Sequence, residues 1–178
     1  MYGKYYLQRY KSIAEKIPNG TTVTDVCSGD SFLYQQFLRG KNKYTGVDIN
    51  PLIPDNSHGA KIIKMDVVNN PIPKAEYVVI QGSLYQFIPN QKQIVDKMLQ
   101  SATKKVIIAE PIINLANSNY KFLSSLSKYS VNPGTGPTPN RFTKKSLHLF
   151  FIKNYKNIIE KMCPIVGGRD MLYILNAE

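Results

Sequence analysis

The chain has 178 residues, 43% of them hydrophobic, which is enough for one domain with its own core and too few for an added substrate domain. Its formal net charge of +11 fits a nucleic-acid or anionic-membrane partner, but the lysines are scattered among many Asn, Ile and Tyr residues, which favours a biased coding sequence as their origin. No apolar run of about 18 residues, no signal-peptide core and no disulfide or zinc pattern at Cys27 and Cys163 is present, so we expect a cytoplasmic protein without a membrane span or a metal.

The first half of the chain alternates segments of helical period with apolar runs of strand length, which predicts a layered α/β domain. We expect a helix at 5–16, a strand at 22–26, a helix at 32–39 and strands at 44–48, 61–65 and 77–80. The links on either side of the strand at 61–65 are expected to lack long helices, because they contain Pro51, Pro54, Pro71 and Pro73.

The second half adds a helix at 91–102, a strand at 105–109, a helix at 114–129, a Pro/Gly-rich loop at 131–141, a helix at 143–151 and strands at 158–162 and 171–175. The short, glycine-containing link between the last two strands predicts that they pair antiparallel. We therefore expect a single domain over 1–178: a Rossmann-like, doubly wound, mostly parallel sheet with an antiparallel C-terminal edge hairpin. Residues 1–20, rich in tyrosine, would form an N-terminal helix able to cap the site, and 112–142 an insertion over it.

Polar residues follow three successive strands of this sheet, where doubly wound folds bind their ligands. After the first strand comes the small-residue turn CSGDS, at 27–31, whose amides we expect to approach a ligand closely. Asp48 ends the next strand at about the 20-residue spacing from which a carboxylate reaches two ribose hydroxyls. Asp66 follows the third strand and could accept a hydrogen bond from an exocyclic amine. Together they predict a nucleotide-like ligand.

The string VTDVCSGDS resembles the first motif of the class I S-adenosylmethionine-dependent methyltransferases, with Asp25 and Gly29 matching. The resemblance continues in the family's order through YTGVDIN, IIKMDVV, AEYVVIQGSLYQF and KKVIIAEPI, over roughly residues 20–112, and more weakly through RDMLYIL. It implies S-adenosylmethionine as the cofactor and methyl transfer as the reaction.

The resemblance also implies a donor site, residue by residue. The turn would be formed by Asp25, Cys27, Ser28 and Gly29, the ribose contact by Asp48, an apolar wall by Ile49, the adenine contacts by Asp66 and Val67, and the reactive end by Gln81. Cys27 and Ser31 depart from the family, whose members usually have glycine there. We expect that residue 27 needs a small side chain but not necessarily a positive φ.

Two residues are candidates for the chemistry. Methyl transfer to an acceptor mainly requires alignment of the reacting atoms, although an acceptor hydroxyl would also need a base. Glu110 follows the fifth strand and could be that base or orient the acceptor, and Tyr85 could line the acceptor pocket. The sequence favours a packed core position for His148, a solvated loop for His58, and a turn residue rather than a nucleophile for Cys27.

The acceptor predicted from the sequence is a small molecule, a sugar or a lipid-type compound. The fourth strand leads into IQGSLYQF and lacks the Asn/Asp-Pro-Pro-aromatic turn of many nucleic-acid amino-methyltransferases. Arg141 would suit an anionic acceptor group, or equally be a solvated charge. Two alternatives stay open: a nicotinamide-dependent oxidoreductase, which would lack its G-x-G-x-x-G turn, and a nucleic-acid-binding or RNA-modifying protein of the same fold that uses the positive charge.

Overall fold

A computed structural model describes residues 4–112 and 141–177; the helix predicted at 114–129 and nearly all of the loop predicted at 131–141 lie outside them. The α-helices of the described part are α1 (Lys4–Ala14), α2 (Gln91–Ser101) and α3 (Lys144–Tyr155). Its strands are β1 (Thr22–Val26), β2 (Lys43–Asp48), β3 (Lys61–Lys64), β4 (Ala75–Gln81), β5 (Ala102–Pro111), β6 (Ile159–Pro164) and β7 (Asp170–Asn176). None of these helices is long and apolar enough to cross a membrane.

The strands form one sheet in the order β3-β2-β1-β4-β5-β7-β6. β1 to β5 run parallel, whereas β7 is antiparallel to β5, and β6 pairs antiparallel with β7 at the edge. The predicted doubly wound sheet with a C-terminal edge hairpin is therefore confirmed. The strand order reverses between β1 and β4, and a ligand of such a sheet binds at that point.

Helices cover both faces of the sheet, and the central strands are consequently continuous apolar runs. In β4, Val78 and Ile80 pack into one core and Val79 into the other, all three without solvent exposure. The first core is closed by α2 and α3, through side chains such as Ile94. The second is closed by α1 and by a short turn after β1. The strand ends at the switch point are thus held by a packed three-layer structure.

The links between the strands of the first half are shorter than in a regular doubly wound fold. The helix predicted at 32–39 is a π-helical turn, Tyr34–Leu38, followed by Gly40 at φ 73°. Between β2 and β4, residues 49–74 contain no α-helix and a single 3-10 turn, Ser57–Gly59, as the prolines of this stretch predict. Both links run beside the carboxyl ends of the strands and supply much of the site.

Candidate ligand-binding site

A cavity of about 510 Å³ lies at the carboxyl ends of β1, β2 and β4, at the switch point of the sheet. Nine residues singled out in the sequence line it: Cys27, Ser28, Gly29, Asp48, Ile49, Asp66, Val67, Gln81 and Tyr85. Two do not, since Asp25 and Glu110 are fully buried behind the cavity wall. The volume lies within the range of about 300 to 1,000 Å³ that is usual for small-molecule sites.

The turn after β1 holds two non-glycine residues in the left-handed region, Cys27 at φ 58° and Ser31 at φ 55°. The expectation that residue 27 does not need a positive φ is therefore wrong. In this region a β-carbon approaches the following carbonyl oxygen, a contact that glycine avoids. The glycines usual at these positions in the family thus meet a backbone requirement, which this chain meets with two small side chains.

The amides of this turn are mostly engaged within the protein. The Ser28 N–H donates to the Val47 carbonyl oxygen at 3.1 Å, and the Ser31 N–H to the Ser28 carbonyl oxygen at 2.7 Å. The Gly29 N–H donates to Oδ2 of Asp48 at 2.9 Å. The expected cradle of amides facing a ligand is not formed by these three groups. The turn instead positions side chains, Asp48 first among them.

Gly46, on β2 behind the turn, is a residue that sequence reasoning missed. A β-carbon there would lie 2.7 Å from Oγ of Ser28 and 3.0 Å from both Oγ of Ser31 and Cδ1 of Ile62. Any side chain at position 46 would therefore force the side chains of Ser28, Ser31 and Ile62 to shift. Its place one residue before the Val-Asp strand end is the signal that could have identified it.

Asp48 is fixed but retains capacity for a ligand. Its Oδ2 accepts from the Gly29 amide, and its Oδ1 accepts from the Asn50 amide at 2.8 Å. A carboxylate offers about four acceptor positions, so roughly two remain. Because Asp48 lines the cavity, these positions suit a pair of neighbouring hydroxyl groups.

The loop after β3 is fixed in a similar way. Asp66 accepts from the Val68 amide at 2.8 Å and from Nδ2 of Asn69 at 2.7 Å. Lys97 reaches across from α2, and its Nζ donates to the carbonyl oxygens of Val67 at 2.9 Å, Val68 at 2.5 Å and Asn70 at 3.2 Å. Lys97 thus fastens the cavity wall formed by this loop, a role that a lysine in a helical pattern does not reveal.

Asp25 and Glu110 support the site from behind. Asp25 accepts from the Tyr44 hydroxyl at 2.8 Å, while Oε1 of Glu110 accepts from the Ser83 and Leu84 amides at 2.7 Å each. Within the described part of the chain, the second oxygen of each carboxyl group has no hydrogen-bond partner. Burial raises the pKa of each to about 7, although the Tyr44 hydroxyl and the two amides act in the opposite direction.

These two carboxyl groups predict that stability falls as the pH rises. Their pKa near 7 in the folded state lies above the value of about 4 expected in the unfolded chain. Between the two values the folded state binds more protons, so each group lowers the free energy of unfolding by up to about 1.4 kcal/mol per pH unit. The double variant Asp25→Asn/Glu110→Gln should show a smaller difference than the wild type between the free energies of unfolding measured with urea at about pH 5 and about pH 8. Glu15→Gln, at an exposed position, is the control and should leave this difference unchanged. An unchanged difference in the double variant would contradict the raised pKa of Asp25 and Glu110.

The turn conformation gives a second stability prediction. Cys27→Gly removes a left-handed strain of roughly 1 to 2 kcal/mol, offset by about 0.5 to 1 kcal/mol of unfolded-state entropy. The variant should be at least as stable as the wild type in urea unfolding. Cys163→Gly, in the regular strand β6, is the matched control and should lose about 0.5 to 1 kcal/mol. Equal losses in both variants would show that Cys27 is not strained.

Two further candidates for the chemistry, Tyr85 and Cys27, line the cavity in protonated form. Tyr85 lines the cavity with 2% of its surface exposed, and the Arg141 guanidinium carbon lies 3.5 Å from the centre of its ring. Burial raises the pKa of Tyr85, which therefore stays a neutral hydroxyl. Burial and the surrounding carboxylates also raise the pKa of Cys27, which makes its thiol a poor nucleophile.

The two histidines lie away from the cavity. His58 is exposed in the loop after β2, as predicted. His148 is exposed on α3, with Nδ1 3.3 Å from Sδ of Met162, so the predicted core position is wrong. The buried face of α3 carries Leu147 and Phe151, and His148 falls one position beyond it.

The N-terminal helix α1 forms one wall of the cavity. Its contribution consists of Tyr6, Arg9 and Tyr10, and the hydroxyls of the two tyrosines lie 2.6 Å apart. Of the other early tyrosines, Tyr5 lies outside the lining and Tyr2 outside the described residues. The other lining residues that sequence reasoning missed are neighbours of predicted ones: Asp30, Leu52, Met65, Val68, Gly82, Ser83, Gln86 and Phe87.

No protein-family model and no curated protein matches this sequence. Many solved structures match the fold. Magnesium protoporphyrin IX methyltransferase from Synechocystis PCC 6803, with bound SAH, matches 100% of this chain and 89% of its own at a TM-score of 0.64 and 12% identity. The small RNA methyltransferase HEN1 matches 99% of this chain and 26% of its own, at a TM-score of 0.70 and 14% identity. A protein from Rhodobacter sphaeroides named as a putative zinc-dependent alcohol dehydrogenase matches 96% of this chain and 90% of its own, at a TM-score of 0.66 and 15% identity.

Most of the matching structures are described as methyltransferases. The matches confirm the predicted fold, that of the class I S-adenosylmethionine-dependent methyltransferases. At these identities they are a likeness of fold and leave the reaction and the acceptor to be argued from the site.

Proposed function

We propose that this chain, which has the class I methyltransferase fold, binds S-adenosylmethionine in the switch-point cavity and transfers its methyl group to a small-molecule, sugar or lipid-type acceptor. One observation carries the proposal. Asp48 stands at the end of β2, is held by the Gly29 amide, and lines the cavity with acceptor capacity to spare. A carboxylate in this position is suited to the two hydroxyls of a ribose.

The other lining residues fit an adenosine on one side of Asp48 and an amino-acid end on the other. Ile49 and Leu52 line the cavity with exposed apolar side chains, on which a base could rest. Asp66 and Val67 lie beside this surface and suit the polar edge of adenine. Gln81, the last residue of β4, and Gly82 after it would then face the reactive end of the donor.

For this reaction the protein mainly has to align the acceptor atom with the methyl group and the sulfur of the donor. The donor supplies an activated sulfonium methyl group, so the acceptor atom forms the new bond to carbon as the carbon–sulfur bond breaks and the thioether leaves. Holding acceptor and methyl in line is worth about 7 to 11 kcal/mol. Tyr85, a neutral ring with the Arg141 guanidinium over it, would line the acceptor side.

The position of Glu110 argues for a supporting role in this reaction. Its carboxyl group binds the Ser83 and Leu84 amides from behind the cavity and does not line it. We therefore assign it the positioning of the segment after β4, and a base for an acceptor hydroxyl would have to be another group.

Nucleic acid is the second candidate acceptor, because the chain carries a net charge of +11 and a small RNA methyltransferase is among the structures of the same fold. The small-molecule acceptor is preferred because the cavity has the volume of a small-molecule site and is lined in part by α1, Tyr85 and Phe87. The expected cap formed by residues 1–20 is part of this proposal, whereas the expected cover at 112–142 lies almost wholly outside the described residues.

Donor binding should raise the melting temperature of the protein. Saturating S-adenosylmethionine at about 100 times its Kd would stabilise the folded state by about 2.7 kcal/mol, whereas NAD should give no shift. Transfer of a labelled methyl group into small-molecule extracts, and not into RNA, would support the preferred acceptor. Labelling of RNA alone, with a steep salt dependence, would favour the second candidate. No thermal shift with the donor would refute the proposal.

A further inference from the structure

Arg9 is placed in the cavity wall by an ion pair that spans the chain. Its Nε donates to Oδ1 of Asp170 at 3.0 Å, and Nη2 lies 2.7 Å from the same oxygen. Both side chains are largely buried, with 15% and 4% of their surface exposed. Asp170 begins β7, so the guanidinium of a helix residue is fixed against the end of the sheet.

This ion pair uses only part of the guanidinium. Arginine has five N–H donors, and Asp170 accepts from two nitrogens through one oxygen. Nη1 has no hydrogen-bond partner among the described residues, and it points toward Gly82. The donors left over are presented from a residue that lines the cavity.

Gly82 makes room for this arrangement. Its φ is 58°, and a β-carbon at this position would lie 2.5 Å from Nη1 of Arg9. A side chain here would displace the guanidinium and strain the backbone. In the segment after β4, where a donor's reactive end and the acceptor would meet, the Gly82 backbone therefore lies next to the Arg9 guanidinium without a side chain between them.

Arg9 also differs in charge from the rest of the cavity. The other charged lining residues are the acids Asp30, Asp48 and Asp66, and within the described part of the chain Arg9 is the one cation in the lining. The acids lie on the β1, β2 and β3 side, and Arg9 on the β4 side. The lining thus carries its acids on one side and, on the other, an arginine that is paired with Asp170 through one oxygen.

We propose that Arg9 binds a carboxylate in this cavity through the donors that Asp170 leaves free. The proposal rests on the function proposed above and extends it to the charge of what occupies the β4 side. A planar guanidinium matches a carboxylate in shape and donates charge-assisted hydrogen bonds to it. Two molecules could supply this group, the amino-acid end of the methyl donor or an anionic acceptor.

Calorimetric titrations can separate these sources. S-adenosylhomocysteine carries the amino-acid carboxylate, and 5′-methylthioadenosine shares its adenosine and sulfur but lacks that end. If the carboxylate is the donor's, Arg9→Met should weaken S-adenosylhomocysteine binding roughly tenfold or more and leave methylthioadenosine binding unchanged. Lys11→Met, on the exposed face of the same helix, removes the same charge and should change neither.

If the carboxylate is the acceptor's, Arg9→Met should leave both nucleoside affinities unchanged and abolish the binding of benzoate, followed by ligand-observed NMR with and without S-adenosylhomocysteine. Arg9→Met combined with Asp170→Asn avoids an unpaired buried carboxylate and serves if the single variant does not fold. Arg9→Lys, which keeps the charge, should lose only part of the affinity.

Two results would overturn the proposal. Parallel losses of S-adenosylhomocysteine and methylthioadenosine binding would show that Arg9 acts only by holding α1 in place. Arg9 contacts no carboxylate if Arg9→Met leaves both nucleoside affinities unchanged and either leaves benzoate binding unchanged or the wild type does not bind benzoate at all. A wild type that binds neither nucleoside contradicts the proposed function, and the benzoate titration of the unliganded protein then decides on Arg9 separately.

Discussion

Asp48→Ala is expected to weaken the binding of S-adenosylmethionine by a factor of about 100 or more. Two hydrogen bonds from ribose hydroxyls to a carboxylate would be lost, each worth about 1.5 to 3 kcal/mol. The Gly29 amide would also lose its acceptor, which loosens the turn after β1. The dissociation constants of variant and wild type, measured by calorimetry, give the comparison.

Asp55→Ala is the matched control for this variant. Asp55 accepts from the Ile62 amide at 2.7 Å and the Asn56 amide at 2.8 Å, so it fixes a loop much as Asp48 does, but it does not line the cavity. Its removal should leave donor affinity unchanged. An Asp48→Ala protein that is folded and binds the donor as well as the wild type would rule out the proposed ribose contact.

Cys27→Leu is expected to abolish donor binding while the protein stays folded. Cys27 lines the cavity from a turn whose backbone is already in the left-handed region, so a larger side chain extends into the space for the ligand. Rotation out of the cavity is restricted, because the turn is held by the Ser28 and Gly29 amides. Circular dichroism checks the fold, and calorimetry measures the binding.

Two substitutions bracket this result. Cys27→Ala keeps a small side chain and should bind the donor normally. Cys163→Leu makes the same exchange in β6, outside the cavity, and should also bind normally. Normal donor binding by Cys27→Leu would mean that the turn does not touch the ligand.

The parts of this fold that the sequence predicts are those set by local pattern. The apolar runs around Val78 and Ile107 belong to strands covered on both faces, and their order along the chain predicts a parallel sheet. Asp48 and Asp66 could be placed at the cavity because a strand end fixes where the next residue lies.

The parts that the sequence does not predict depend on contacts between distant segments. Arg9 reaches the cavity only because α1 packs so that it meets Asp170, 161 residues later. From the sequence, Glu110 could be a base or orient the acceptor, but its carboxyl group accepts from the Ser83 and Leu84 amides and does not line the cavity. The positive φ of Cys27 was hidden because a cysteine rarely marks such a backbone.

The most direct test of the account is a calorimetric titration of the wild-type protein with S-adenosylhomocysteine and, separately, with NAD. We predict one binding site per chain for S-adenosylhomocysteine, with a dissociation constant in the micromolar range or below, and no heat of binding for NAD. Binding of NAD without binding of S-adenosylhomocysteine would contradict it, because the cavity above β1, β2 and β4 would then serve a nicotinamide cofactor instead of a methyl donor.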